Sequence, residues 1–191
     1  MTAQLNPSAA LIVVDVQNDF CPGGTLAVPD GDAMVPVIND WIERAQTAGM
    51  PVIASRDWHP PDHCSFTEQG GPWPAHCVRD TPGAAFHPEL RLPANTRVIS
   101  KGLAVDKDNY SAFDDTGLTE TLRAEGIERL WIGGLAQDVC VRATVLDACE
   151  AGFETHLIRE ATRAVDVAPG DGDRALEDMR AAGAVIETAQ T

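Results

Sequence analysis

Residues 9–15 read AALIVVD, six apolar residues in a row followed by an aspartate. A run that is apolar at every position, and too short for a membrane span, is typical of a β-strand covered on both faces. Short runs rich in β-branched residues recur along the chain, separated by segments with helical periodicity. The predicted strands are 9–14, 51–55, 96–100, 129–133, 154–158 and 184–187.

Several segments between these runs have the apolar spacing of amphipathic helices. Between the first two strands, apolar residues recur every three or four positions, and Gly49 stands where such a helix would end. Further helices are predicted near 118–125, 139–151 and 172–182. This alternation predicts an α/β fold: a three-layer, open, mainly parallel six-stranded sheet with helices on both faces and right-handed crossovers. The apolar stripe of the first helix consists of Met34, Val37, Ile38, Trp41, Ile42 and Ala45.

Length and charge exclude several classes of protein. With 191 residues and 44% hydrophobic content, the chain is expected to form a single domain over 1–191. The 29 acidic residues outnumber 14 scattered basic ones, so nucleic acid and anionic membranes are not expected partners. No stretch approaches the roughly 20 apolar residues of a membrane span, and we expect a cytoplasmic location. The five irregularly spaced cysteines are expected to be free thiols.

One long segment, residues 57–95, has little periodicity and is rich in Pro, Gly, His and Trp. A loop of this length in a compact domain is usually either functional or disordered. Disordered segments are poor in aromatic residues, whereas this one places Trp58 and Trp73 close to histidines. We therefore interpret it as an ordered, functional loop.

Polar residues at the ends of the predicted strands are the candidates for chemistry, because open parallel sheets bind ligands at their carboxyl ends. Asp15, Asp57 and Lys101 follow the first three strands, and Cys140 follows the fourth after a Gly-Gly turn. An isolated cysteine is more often a small buried residue, but the presence of Asp15 and Lys101 at the same edge indicates a nucleophile. A helix start and a nearby lysine are both expected to lower the pKa of the Cys140 thiol.

A second group of reactive residues lies in the long loop. Asp57 and His59 are two positions apart, and His76 follows. A carboxylate and two imidazoles can bind a divalent metal and leave positions open for water or substrate. His63 remains open as a further ligand. The histidines interpreted as structural are His87 and His156.

Six short motifs are distributed over the chain: DVQNDF at 15–20, RDWHP at 56–60, WPAHC at 73–77, KG at 101–102, YSAF at 110–113 and GGLAQDVCV at 133–141. In this order they resemble the nicotinamidase/pyrazinamidase family of the isochorismatase-like superfamily, and the resemblance extends from residue 11 to about residue 158. The Asp, the Lys and the Cys alone would indicate only the superfamily. The Asp-Trp-His and Trp-Pro-x-His motifs narrow the resemblance to nicotinamidases.

The resemblance implies a Rossmann-like domain and a catalytic triad of Asp15, Lys101 and Cys140. It also implies the reaction, in which nicotinamide is hydrolysed to nicotinic acid and ammonia through a cysteine thioester, as a step of NAD salvage. Pyrazinamide is an expected second substrate. A small molecule is therefore the expected partner.

The resemblance also implies how the substrate is held. One divalent metal ion, with zinc as the first candidate and iron or manganese as alternatives, would be bound by Asp57, His59 and His76. Phe20 and Trp73 match the family's aromatic walls around the pyridine ring.

The last implied feature is the oxyanion hole. The Leu135–Ala136 bond matches a position that is cis in the family, and the backbone N–H groups of Ala136 and Cys140 would face the developing oxyanion. Two alternatives stay open: a relative with the same triad that acts on another amide or an N-carbamoyl compound, and a non-catalytic metal- or thiol-sensing module. The metal motif argues against the first, and the lack of a resolving cysteine at motif spacing argues against the second. The sequence is compatible with a monomer or a homo-oligomer.

Overall fold

The computed structural model describes residues 5–188. In this part of the chain, six parallel strands form one sheet in the order β3-β2-β1-β4-β5-β6. The strands are β1 (Ala9–Val14), β2 (Val52–Asp57), β3 (Arg97–Lys101), β4 (Arg129–Leu135), β5 (Glu154–Arg163) and β6 (Val185–Glu187). The α-helices are α1 (Val35–Thr47), α2 (Leu118–Ala124), α3 (Arg142–Glu150) and α4 (Asp171–Ala181).

The central strand β1 divides the interior into two apolar cores. All six of its residues are fully buried, and alternate side chains point to opposite faces of the sheet. Leu11 and Val13 pack on the face covered by α1, whereas Ile12 and Val14 pack on the face covered by α2, α3 and α4. The predicted three-layer architecture is therefore confirmed.

The backbones of β1 and β4 approach closely near the carboxyl end of the sheet. Gly134 pairs with Val14 and has a φ of +138°, in a region that favours glycine. A Cβ atom at this position would lie 2.0 Å from the Val14 carbonyl oxygen. Only glycine therefore allows this contact.

The observed elements follow the predicted ones, except that β5 continues to Arg163 rather than ending at Ile158, and two further differences lie at the functional edge. Asp57 and Lys101 are the last residues of β2 and β3 and pair with each other, rather than following the strands. The helix predicted from residue 139 begins as a π-helical turn over Gln137–Val141, and α3 starts at Arg142. Apolar spacing did not distinguish this wider turn from the α-helix that continues it.

The long connection between β2 and β3, residues 58–96, contains two short 3₁₀ turns, Thr67–Gln69 and Pro82–Ala84. Its buried histidines pack around Phe66, whose ring centroid lies 5.5–5.7 Å from those of His59, His63 and His76. The loop is ordered by these contacts, as its aromatic content predicted. Among the described residues, no helix is long and apolar enough to cross a membrane.

Candidate active site

Three chemically reactive side chains meet at the carboxyl edge of the sheet. Lys101 Nζ lies 2.8 Å from Asp15 Oδ2 and 3.4 Å from Cys140 Sγ. Asp15 Oδ1 also accepts a hydrogen bond from the Ser55 hydroxyl at 2.7 Å. The three reactive side chains are buried, so each depends on the others for electrostatic compensation.

Burial and the paired charges together set the pKa values of these three side chains. Burial alone would lower the pKa of Lys101, but Asp15 and Asp57 outweigh it and hold the pKa well above its usual value. Lys101 is therefore a permanent cation. Burial raises the pKa of Asp15 and is only partly opposed by Lys101, which makes this carboxylate a better base.

The protonation of Cys140 differs from the sequence-based expectation. Burial raises the pKa of its thiol well above the usual value; Lys101 acts in the lowering direction, but the carboxylates of Asp15 and Asp57 add to the rise. The expected lowered pKa is wrong for the free protein, because the sequence could not show how deeply the thiol is buried. The thiol therefore stays protonated until a base removes its proton.

Asp57, His59 and His76 form a second cluster beside the first. Asp57 Oδ2 lies 3.6 Å from His59 Nε2 and 3.9 Å from His76 Nε2. The His59 Nδ1–H donates to the Gly102 carbonyl at 3.0 Å, and the His76 Nδ1–H donates to the Pro74 carbonyl at 2.8 Å. Each carbonyl can only accept, so each ring is anchored through Nδ1 and turns its Nε2 atom toward the space beside the carboxylate, as metal-ligating histidines do.

The charge of Asp57 also suits a metal ligand. Burial raises the pKa of this carboxyl, but Lys101 and the two imidazoles outweigh it and hold the pKa below its usual value. The other carboxylate oxygen, Asp57 Oδ1, accepts a hydrogen bond from Lys101 Nζ. The three donor atoms lie within 4.8 Å of one another, so the residues fit one divalent ion.

His63 lies next to this cluster but is engaged elsewhere. Its ring stacks on that of His59, with centroids 4.1 Å apart. Its Nε2–H donates to the Lys107 carbonyl at 3.1 Å, and Nδ1 accepts from the Ser65 hydroxyl at 2.7 Å. Both nitrogens therefore have partners in the protein, and His63 links the loop after β2 to the loop after β3.

A narrow pocket opens onto both clusters. Its wall contains Phe20 and Trp73, together with Tyr110, Val139 and Val165. The Trp73 indole N–H donates to the Tyr110 hydroxyl at 3.1 Å and so joins two loops across the rim. Val165 carries no motif signal, whereas Tyr110 begins one of the motifs and could have been singled out. The remaining lining residues are Leu26, Val28, Asp57, His76, Ala136 and Cys140.

Two backbone features surround the nucleophile. The Leu135–Ala136 bond is cis. The Ala136 carbonyl accepts hydrogen bonds from the N–H groups of Val139 and Val141, both at 3.1 Å. Ala136 and Cys140 thus bracket one tight turn, and the oxyanion hole predicted at their N–H groups stays a prediction.

Gln17 supports the metal cluster and was not singled out from the sequence. Its buried side-chain amide donates to the Asp57 carbonyl at 2.8 Å and accepts from the Asp57 N–H at 2.8 Å. The same amide donates to the Ala84 carbonyl at 2.9 Å. Gln17 therefore fixes the backbone of Asp57 on both sides of its side chain.

The parallel sheet, with a buried thiol, carboxylate and lysine at its carboxyl edge, is that of a Rossmann-like hydrolase, and the neighbouring cluster of Asp57, His59 and His76 could hold a metal ion. The chain belongs to the isochorismatase family, since the Isochorismatase domain matches residues 9–191. It is 43% identical to a nicotinamidase from Escherichia coli over 95% of each chain.

Two solved structures are similar over almost their whole length. A pyrazinamidase of Pyrococcus horikoshii in complex with zinc is 48% identical, has a TM-score of 0.91 and aligns over 96% of this chain and 100% of its own. The PnC1 protein of L. infantum in complex with nicotinate is 35% identical, with a TM-score of 0.89, and the alignment covers 98% and 96% of the two chains.

Proposed function

We propose that this chain hydrolyses nicotinamide to nicotinic acid and ammonia through a thioester on Cys140. The observation that carries the proposal is one aromatic pocket that Cys140 lines from the first cluster and that Asp57 and His76 line from the three-donor cluster. Lys101 contacts both Asp15 and the thiol beside this lining. The nicotinamidase and pyrazinamidase relatives support the same reaction. Pyrazinamide, an aromatic carboxamide of similar shape, is the proposed second substrate.

In the proposed acylation, Asp15 takes the thiol proton of Cys140 and the thiolate attacks the amide carbon. A C–S bond forms, and the carbonyl oxygen becomes an oxyanion facing the N–H groups of Ala136 and Cys140. Lys101 holds the carboxylate and the thiolate in place throughout. Asp15 then returns the proton to the leaving nitrogen, the C–N bond breaks, and ammonia departs.

The thioester is hydrolysed by the reverse use of the same groups. Asp15 takes a proton from water, and the resulting hydroxide attacks the thioester carbon. The C–S bond breaks, nicotinic acid is released, and the Cys140 thiolate recovers the proton from Asp15. The raised pKa of Asp15 suits a group that must act as base, acid and base again.

Asp57, His59 and His76 are the proposed ligands of one divalent metal ion, with zinc as the first candidate because the Pyrococcus relative binds it. When bound, the ion supplies a Lewis acid for the pyridine nitrogen, which orients the ring. Phe20 and Trp73 would enclose the ring, and such positioning can contribute on the order of 7 kcal/mol in favourable cases. The proposal also places the enzyme in the cytoplasm, where five free thiols remain reduced.

The decisive experiment measures ammonia released from nicotinamide by the zinc-loaded protein. We expect the unchanged protein to release ammonia and Cys140→Ala to release none. Addition of a chelator should slow the release by the unchanged protein. Cys140→Ala should still bind zinc and should bind nicotinamide within about tenfold of the native Michaelis constant, because the lost sulfur contributes little to ground-state binding. Cys149→Ala, which removes another free thiol, is the matched control.

Mass spectrometry of enzyme quenched during turnover should show a nicotinoyl group on Cys140. Ammonia release by Cys140→Ala at an appreciable rate would contradict covalent catalysis. Release of ammonia from an N-carbamoyl amide but not from nicotinamide would contradict the proposed substrate.

A further inference from the structure

The loop between β5 and α4, residues 164–170, has no regular secondary structure, yet it supplies part of the pocket wall. The side chain of Val165 lies in the same apolar lining as Val139 and Cys140. An irregular loop holds such a position only if specific contacts fix its backbone. Asp166 and Asp171 hold the later part of the loop, and the contacts at Val165 come from the turn that carries the nucleophile.

The carboxylate of Asp138 receives two consecutive backbone N–H groups of this loop. Its Oδ1 accepts from Val165 N–H at 2.9 Å, and its Oδ2 accepts from Asp166 N–H at 2.8 Å. An ionised carboxylate accepts at both oxygens, and such charge-assisted bonds are about twice as strong as neutral ones. Asp166 itself has a φ of +50°, so the chain turns sharply at the point where Asp138 holds it.

The neighbouring residue Gln137 has a separate role. Its amide donates to the Gly172 carbonyl at 2.8 Å and accepts from the Thr162 hydroxyl at 2.9 Å, so it fixes the two ends of the loop. Asp138 fixes the part of the loop that reaches the pocket. Both residues belong to the π-helical turn Gln137–Val141, which also carries Cys140. The same turn therefore positions both the pocket wall at Val165 and the nucleophile Cys140.

We infer that Asp138 is a positioning residue that sets substrate selectivity: it holds Val165 in the wall of the pocket and so limits the ring substituents that the pocket accepts. This inference rests on the proposed function. Asp138 lines an adjoining surface groove rather than the pocket, so it acts through Val165 and not on the reacting atoms.

The test compares zinc-loaded Asp138→Asn with the unchanged protein. The asparagine keeps the shape but can accept only one of the two N–H groups, and its own NH₂ opposes the other. We expect the Michaelis constant for nicotinamide to rise about tenfold, as loss of one charge-assisted bond allows, with kcat changed less than about twofold. The relative kcat/KM for a ring-methylated nicotinamide should increase.

Val165→Ala should shift the selectivity in the same direction, and the double variant should show little further change, because both alter one wall. Asp40→Asn, which removes one carboxylate from the exposed face of α1, should leave all these values unchanged. Unaltered selectivity in Asp138→Asn would overturn the inference. So would a fall in kcat and in the alkylation rate of Cys140 at an unchanged Michaelis constant, because Asp138 would then order the nucleophile instead.

A binding measurement separates this inference from the proposed reaction. In the zinc-loaded Cys140→Ala background, adding Asp138→Asn should weaken nicotinamide binding about tenfold by calorimetry, with no turnover involved. An unchanged dissociation constant would overturn the inference. If the unchanged protein releases no ammonia from nicotinamide, the proposed function fails while this titration still decides the role of Asp138. If zinc-loaded Cys140→Ala does not bind nicotinamide, the inference about Asp138 fails, while ammonia release by the unchanged protein still decides the proposed function.

Discussion

Lys101 contacts both clusters of the active site and is the residue on which their charges depend. It is fully enclosed between Asp15, Asp57 and the Cys140 sulfur. A buried ammonium is costly unless it is paired, and here two carboxylates pair with it. The same cation opposes the effect of burial on the thiol, which gives it a measurable influence on nucleophile reactivity.

Replacing this cation should slow thiol chemistry. In Lys101→Met the pKa of Cys140 should rise further, because the one neighbour that lowers it is gone. We expect alkylation of Cys140 by iodoacetamide at pH 7.5 to slow by at least about tenfold, which corresponds to one unit of pKa. Peptide mapping of the modified residue at several pH values measures this, and the rate profile should move to higher pH. Lys107→Met removes an exposed lysine and serves as control; equal rates in both variants would exclude the role of Lys101.

The metal site can be tested one histidine at a time. We expect His59→Ala and His76→Ala to lose bound metal and to raise the Michaelis constant for nicotinamide, since each removes one of three ligands. His63→Ala should keep metal at full stoichiometry, because both of its nitrogens already bond to the protein, while unfolding about 1–3 kcal/mol more easily. Elemental analysis and denaturant unfolding measure both, with His87→Ala as control. Metal loss in His63→Ala would show a fourth ligand.

At the scale of the elements, parallel register explains why the two clusters touch. Asp57 ends β2 directly opposite Lys101 at the end of β3, and Asp15 follows the central strand β1. Carboxyl ends of parallel strands lie along one edge, so three strand ends deliver charged groups to one place. The fourth group, Cys140, arrives through the turn after β4.

The close contact of β1 and β4 should make Gly134 intolerant of substitution. Gly134→Ala would place a Cβ atom 2.0 Å from the Val14 carbonyl oxygen, next to Asp15, so either strand must move. We expect a loss of on the order of 3 kcal/mol or more in the free energy of unfolding, together with reduced activity. Gly126→Ala, at a φ of +71° with open space around the new atom, should cost only about 1 kcal/mol. Denaturant unfolding compares the two, and equal losses would show that the contact at Gly134 relaxes freely.

The sequence predicted the elements well because burial on both faces leaves a visible pattern. The apolar run of β1 predicted burial on both faces, and the apolar stripe of α1 predicted burial on one face. Contacts between a side chain and a distant backbone leave no such pattern. The hydrogen bonds between Gln17 and Asp57 and between Val165 and Asp138 join residues 40 and 27 positions apart. No periodic pattern in the sequence predicts such bonds.

The enclosure of the thiol was missed for a related reason. Motif order shows that Cys140 and Lys101 meet, and their opposite tendencies in charge predict a lowered thiol pKa. The degree of burial, which reverses the net direction, depends on every loop that covers the pocket. The net pKa of the Cys140 thiol depends on all of these groups together, and the individual residues in the sequence do not show it.

At the scale of the whole molecule, the two cores share the sheet and the long loop packs onto its edge. We therefore expect the metal-saturated protein to unfold as one cooperative domain, as predicted from its length. Differential scanning calorimetry should give a calorimetric enthalpy equal to the van't Hoff enthalpy. A separate earlier transition would contradict a single domain, and hydrogen exchange confined to residues 58–96 would identify that loop as an independent unit.

The three-donor cluster in the pocket has a consequence for which pyridines the proposed enzyme can consume. A ring whose nitrogen is bonded to ribose has no nitrogen lone pair free for a metal ion, and its sugar would occupy the space beside Asp57 and His76. Such a molecule offers nothing to a Lewis acid there and collides with the donors themselves. The enzyme would therefore hydrolyse free nicotinamide but not the nicotinamide of dinucleotide cofactors. Salvage of nicotinamide would then not consume the cofactor that it helps to produce.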